Sequence, residues 1–269
     1  MVVPENRLFQ PIQRMLIGFC IVLGVQWAVS PISAAANLEA IQARGHLIVA
    51  VREGWRPLSY RTQAGELVGL EVDIARQLAE EVLGDPDAVV FQVVSNLERI
   101  PTVLEGQADL AIAGLTITPE RMRLVSFSLP YYLDGAGFLV RSRNAQFTRL
   151  QDLQHQRIGL LQGSSLVPTV RHVLPQAELV PLVSYQDGFS QLSQGQVDAF
   201  AGDVTVLVGW QQEHSGYALL PTLASAEPLA IALPKGTQFN DLRTLVNDTL
   251  TTWHESGWLE ERATYWGLP

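Results

Sequence analysis

Apolar residues along this chain fall into two patterns. Short unbroken runs occur at His46–Val51, Val89–Val94, Leu110–Ala113, Arg157–Leu161 and Leu229–Leu233. Runs of this length without a helical gap predict buried strands. Between them, apolar residues recur at helical spacing. Ile74, Leu78 and Val82 lie four apart, and Leu242, Leu245, Val246 and Leu250 share one face of a predicted helix over 239–256. Gly84 closes the first of these helices, and Asp73 is expected to cap its start. Further helices are expected over 37–44, 97–105, 150–156, 186–194 and 203–213. Strands alternating with helices throughout predict an α/β fold.

One construction occurs twice. Gly106-Gln107-Ala108-Asp109 leads into an apolar strand that ends at Gly114, and Gly195-Gln196-Val197-Asp198 leads into another that ends at Asp203. Open α/β sheets bind ligands at the carboxyl ends of their strands, so Gly114 and Asp203 mark two candidate site positions. After the first strand, Thr118-Pro119-Glu120-Arg121 reads as an N-cap, Pro at the first helical position and a first turn. Free N–H groups at such a joint attract an anion, and Arg121 adds a planar fork suited to a carboxylate. Gly114 leaves room for a ligand against the backbone, and Thr116 offers a hydroxyl. Gln162-Gly163-Ser164-Ser165 is a second candidate anion cradle, although its serines would also serve as plain helix caps. A ligand held between an anion site and the Asp203 carboxylate carries both charges, as a free α-amino acid does.

The first residues change the picture of where the chain works. Arg7 and Arg14 precede an apolar core, Met15–Val29, followed by Ser33-Ala34-Ala35-Ala36. This is the form of a secretory leader, with cleavage expected after Ala36; an uncleaved anchor is the alternative. The single cysteine, Cys20, lies inside that core, so residues 37–269 have no thiol for disulfide or thiolate chemistry. The net charge of −9 argues against nucleic acid, which selects clustered Lys and Arg. No Cys/His cluster or glycine-rich phosphate loop is present, so neither a metal nor a cofactor is expected.

Several separate motifs then occur in a telling order: Val68-Gly69-Leu70-Glu71-Val72-Asp73, Gly106-Gln107-Ala108-Asp109, Thr116-Ile117-Thr118-Pro119-Glu120-Arg121, Phe127-Ser128-Leu129-Pro130-Tyr131-Tyr132, Gln162-Gly163-Ser164-Ser165, Lys235-Gly236 and Tyr265-Trp266-Gly267. In this order the chain resembles the periplasmic amino-acid-binding proteins that serve ABC transporters, from about Gly45 to Gly267. The resemblance implies a type II periplasmic-binding-protein fold: two Rossmann-like lobes joined by two hinge crossings. Lobe 1 is expected to comprise 37–138 and 232–269, and lobe 2 to comprise 139–231, with crossings near 138–141 and 228–232. It further implies a monomer that captures an L-amino acid in the periplasm and delivers it to a membrane permease.

By the same resemblance, Arg121 pairs with the ligand α-carboxylate, Gly114, Thr116 and Ser164 support it, and Asp203 receives the α-ammonium. Arg52 and Arg99 look like the arginines that hold the side-chain carboxylate in glutamate- and aspartate-binding members. Trp55 and Tyr60 are candidates for the pocket wall, and Tyr185 for a contact from the second lobe. The expected ligand is therefore acidic, with a neutral polar amino acid as the alternative. A plainer arrangement would pair Arg52 with Glu53 or Glu71, and Arg99 with Glu98, all on the surface. A dehydratase on the same fold would need a general acid, for which Glu53 is the candidate. A ligand sensor would share the same sequence features.

Overall fold

A computed structural model of the protein describes residues 35–143, 147–162, 164 and 166–269. The expected leader, up to residue 34, lies outside the described residues, as do Gly163 and Ser165. The chain begins with α1 (Leu38–Arg44), β1 (Leu47–Val51), the small hairpin β2 (Tyr60–Arg61) and β3 (Leu67–Val68), and α2 (Leu70–Leu83). Then come β4 (Val89–Val93), α3 (Arg99–Leu104), β5 (Leu110–Ala111), α4 (Pro119–Leu124) and β6 (Ser126–Asp134). A second series follows: β7 (Ala136–Arg141), β8 (Arg157–Leu161), α5 (Leu166–Val173), β9 (Glu178–Leu182), α6 (Tyr185–Gln194), β10 (Ala199–Asp203), α7 (Val204–Glu213) and β11 (Tyr217–Leu219). The chain returns through β12 (Glu227–Leu233) and ends with α8 (Asn240–Ser256) and α9 (Trp258–Tyr265).

Two five-stranded sheets result, in the orders β4-β1-β5-β12-β6 and β9-β8-β10-β7-β11. In each, three parallel strands stand in the order second, first, third, and an antiparallel strand closes the third. This is the two-lobed type II periplasmic-binding-protein fold. The first sheet is packed by α2 and α8, whose Leu70, Ile74, Leu78, Leu242, Val246 and Leu250 are completely buried. The second buries Phe138, Val140, Ile158 and Leu160 against Leu166 and Val170 of α5. On its other side, Phe200, Leu182 and Leu192 pack together with Leu207 of α7.

The repeated Gly-Gln-x-Asp stretch has a structural explanation. Gly106 and Gly195 take positive φ, +68° and +78°, where the chain leaves α3 and α6. The aspartates that follow pin the third strand to the first. Asp109 accepts the N–H of Ile48 at 2.7 Å and pairs with Arg44. Asp198 accepts the N–H of Arg157 at 3.1 Å and pairs with the same residue's guanidinium at 3.0 Å. Both copies therefore build the same sheet joint, one per lobe, and deliver β5 and β10 to equivalent places.

Three local expectations differ from the structure. Helix α2 starts at Leu70, three residues before Asp73, because Gly69 turns the chain at φ +134° against the Pro57 and Leu58 carbonyls. Asp73 instead accepts the indole N–H of Trp266 at 2.8 Å. The helix expected over 150–156 is one 3-10 turn, Leu150–Leu153, since Asp152 draws the N–H groups of Thr148 and Arg149 back into a tight loop. The chain passes from the first sheet to the second at Gly135 and returns over 220–226. These passages fall just ahead of the stretches expected near 138–141 and 228–232, because β7 and β12 are full strands of their own sheets.

Candidate functional site

A cleft of about 810 Å³ lies where strand ends and following loops of the two sheets face each other. From the first sheet come the loop after β1, Asn96 and Arg99, the stretch Gly114–Thr116 after β5, and Arg121 of α4. From the second come Leu161 at the end of β8, Tyr185, Asp203 at the end of β10, and Trp210 of α7. Asp134 and Glu227, which flank the two passages between sheets, also line it.

The strand–helix joint is built as its residues require. Thr118 has an extended backbone and accepts the N–H of Arg121 at 3.3 Å, so α4 is capped at its first turn. The Arg121 Nη1 donates to the Thr116 carbonyl at 2.8 Å, which fixes the fork against the β5 exit. Burial alone draws this guanidinium below its usual range. Arg121 makes no ion pair among the described residues, so its charge stays available in the cleft.

On the facing sheet, the Tyr185 hydroxyl donates to Asp203 Oδ2 at 2.9 Å. Burial raises the Asp203 carboxyl above its usual range, against the pull of Tyr185 and Arg52 in the other direction. Asp203 stands at the N-cap position of α7 yet makes no capping bond, so its second oxygen is not consumed by the helix. Asp134 is more deeply buried, with Oδ2 accepting from the Thr205 hydroxyl at 2.7 Å and Oδ1 from the Gly135 N–H at 2.8 Å. Burial, aided by the charge of Asp203, lifts its pKa to about 6.

Arg52 and Arg99 both reach the cleft, and neither adopts the plain surface pairing. Glu53 is held by Arg61 at 3.1 Å, which also takes up the carboxyl named as a candidate general acid. Glu98 accepts from the Ser95 N–H at 2.8 Å. The Arg52 guanidinium carbon lies over the Trp55 ring, 3.7 Å from its centroid, an electrostatically favourable cation–π contact. Arg99 is 8 % exposed, and its Nη1 donates to the carbonyls of Ala113 and Gly114 at 2.8 and 2.9 Å. It therefore clamps the end of β5 from below. Burial and the charges of Arg121 and Arg52 draw its pKa down to about 10.

Gly114, Thr116, Trp55 and Tyr185 also face the cleft. Gly114 is required for a different reason from the one expected. Its φ is +58°, and a Cβ there would stand 2.5 Å from the Trp55 ring. Trp55, rather than a ligand, occupies that space. Ser164 is not part of the lining. It sits at the entry to α5 and its hydroxyl accepts the N–H of Leu166 at 3.1 Å, the capping role its position allows.

Sequence reasoning passed over Asp134, Asn96, Trp210 and Glu227, which the fold brings to the cleft from four separate segments. Glu71, expected on the surface as a partner for Arg52 in the plainer arrangement, instead lies beneath the lining and is wholly buried. A carboxylate between Leu70 and Val72 in an apolar helix turn was the available signal. Among the described residues, no group of three or more His, Cys, Asp or Glu side chains is placed to hold a metal ion.

The charges of the lining balance. Arg52, Arg56, Arg61, Arg99 and Arg121 face Glu53, Asp134, Asp203, Glu213 and Glu227. Four of these ten residues are paired within the wall, Arg61 with Glu53 and Arg56 with Glu213, each at 3.1 Å. Of the rest, Arg121 on one side of the cleft is free of ion pairs among the described residues and faces the hydrogen-bonded Asp203 carboxylate on the other, an arrangement that complements a zwitterion.

This fold and cleft define a solute-binding protein. The chain belongs to the bacterial extracellular solute-binding proteins, family 3, whose model matches residues 47–269. That membership places its work outside the cytoplasm. The chain is 32 % identical to the glutamine-binding protein of Geobacillus stearothermophilus over 80 % of its own length and 82 % of the relative's. It is 28 % identical to the ABC transporter glutamine-binding protein GlnH of Bacillus subtilis (strain 168), covering 94 % of this chain and 92 % of that one. Among solved structures it is similar to the ancestral cationic amino acid solute binding protein AncCDT-1, with a TM-score of 0.72 and 27 % identity over 85 % of this chain and 98 % of that one.

Proposed function

We propose that this protein captures one L-α-amino acid with a neutral polar side chain, glutamine being the reference ligand, and delivers it to a membrane ABC permease. The observation that carries the reading is the charge layout of the cleft. Arg121 at the β5–α4 joint, held by one hydrogen bond to the Thr116 carbonyl and by no ion pair among the described residues, offers its guanidinium to the α-carboxylate. Across from it, Asp203, oriented by Tyr185, offers a carboxylate for the α-ammonium. In the side-chain direction, Arg99 is engaged with backbone carbonyls and Arg52 with Trp55. A neutral amide suits such partly satisfied donors better than a full second negative charge. The names of the two glutamine-binding relatives, which this chain matches over most of its length, support the same reading.

In this reading Gly114 and Thr116 contribute backbone and hydroxyl contacts, Trp55 forms a wall, and Ser164 acts only by capping α5. The two lobes, 37–134 with 227–269 and 136–219, close on the ligand about Gly135 and the 220–226 return. Closure is a ligand-driven population shift, so the ligand must contact both lobes to produce it. Arg52 favours a second reading, an acidic side chain, because its charge is only partly offset.

Calorimetric titration of the ligand-stripped protein with glutamine, glutamate, aspartate, arginine and leucine separates the two. Glutamine binding best supports the proposal, glutamate or aspartate binding best supports the second reading, and silence toward all five overturns both. Arg121→Ala is expected to weaken every amino acid that binds. Leaving a buried carboxylate unpaired costs about 2–5 kcal/mol, roughly a 30-fold to several-thousandfold loss of affinity.

A further inference from the structure

Directly under the cleft, α2 carries a carboxylate that touches no solvent. Glu71 has no exposed surface. Its Oε1 accepts the N–H of Gly114 at 2.6 Å and the hydroxyl of Tyr131 at 2.5 Å. Its Oε2 has no hydrogen-bond partner among the described residues. Burial raises the Glu71 carboxyl above its usual range, and Tyr131, Gly114, Arg52 and Arg99 all pull it back toward the ionised form; burial lowers Arg52, and Glu71 is the foremost charge opposing that fall. Neither arginine forms a direct ion pair with it within 4 Å among the described residues, so the three act on one another through the low-dielectric interior.

A wholly buried carboxylate is costly unless it offsets charge nearby. Here Arg52 and Arg99 both line the cleft, and without Glu71 that part of the wall would be more positive. We propose that Glu71 is a specificity-determining residue: its buried negative charge neutralises the joint field of Arg52 and Arg99, so that the cleft takes a neutral amide in preference to a carboxylate side chain. It acts from behind the wall, through two arginines and the Gly114 backbone, and never touches the ligand. The inference rests on the neutral-ligand reading above.

Glu71→Gln tests it. Glutamine is the same size as glutamate, and its amide oxygen can still accept from Gly114 and Tyr131, so the variant removes charge while keeping the hydrogen bonds. Affinities for glutamine and for glutamate are measured by calorimetry on the full chain, and their ratio is the readout. Removing that charge, at an effective dielectric of about 20, shifts the ratio toward glutamate by roughly 10- to 30-fold. Glu71→Asp keeps the charge and is expected to hold the ratio within about threefold of the parent. Where Glu71→Gln yields no folded protein by circular dichroism, Glu71→Ala in saturating glutamine gives the same ratio by competition with glutamate.

A purely structural Glu71 would weaken both ligands together. Equal losses for glutamine and glutamate, with the parent protein preferring glutamine, overturn this inference and leave the proposed function standing. A parent protein that binds neither amino acid overturns both.

Discussion

Asp134 ends β6 with both oxygens engaged, by Thr205 at the start of α7 and by Gly135 at the passage between sheets. It is 3 % exposed and its pKa is lifted from 3.8 to about 6, chiefly by burial. The sign of its effect on stability follows. Below about pH 4 the carboxyl is protonated in both folded and unfolded chains. As pH rises from 4 toward 6, the unfolded chain releases the proton while the folded one holds it, so folding is progressively disfavoured. Relative to Asp134→Asn, the protein is expected to lose on the order of 2–3 kcal/mol of stability between pH 4 and pH 7. Urea unfolding of both proteins at the two pH values checks this, and parallel curves would show that Asp134 titrates normally. The same residue scale explains what the chain could not disclose beforehand. Arg121 declared itself through the Thr-Pro-Glu-Arg spacing, because a cap and a first turn are local. Arg99 stood out equally as a charge near the cleft, but its use as a clamp on Ala113 and Gly114 depends on β5 lying beside α3.

At the scale of elements, α7 is the piece whose placement matters most. It follows β10 in the second sheet, yet its Val204 and Val208 belong to the apolar core of the first. Gly209 brings the helix against the loop after β1 so closely that a Cβ would stand 2.1 Å from the Arg56 carbonyl oxygen. Gly209→Ala would raise helix propensity in isolation. Here the backbone carbonyl has no flexible end to yield, so overpacking prevails, and a net loss of about 1–3 kcal/mol is expected. For a chain of this size that is a fall in Tm of roughly 3–10 °C. Scanning calorimetry decides it; a rise in Tm would mean that α7 moves off the loop freely. Elements of this kind mark the limit of pattern reading. The strand at Leu47–Val51, the stripes of α2 and α8 and the repeated Gly-Gln-x-Asp joint were legible, since each is dictated by its own residues. The passages between sheets were displaced by a few residues because β6 and β7 are nearly continuous, with only Gly135 between them. Glu71 was legible as an acid near Arg52 but not as a buried one, because the partners that permit a carboxylate there, Tyr131 and Gly114, are 60 and 43 residues away.

The whole molecule is two sheets of matching order, and the chain visits them unequally. The segment from β7 to β11 forms the second sheet without outside strands. The first sheet takes β12 from the far side of that segment and places it between β5 and β6. Leu229, Ile231 and Leu233 of β12 are in its core. A fragment spanning 136–226 is expected to show cooperative thermal unfolding, and one spanning 35–134 to remain unfolded. Circular dichroism of the two fragments checks both. A cooperative transition in the 35–134 fragment would show that β12 is dispensable. The place of β12 also sets a timetable for a chain that emerges amino end first. The middle of the sequence is ready to fold as soon as β11 is out, while the earlier residues must wait with β5 and β6 as open edges. Those edges are the places where another chain would pair by mistake. The half that carries Arg121, although made first, is finished last.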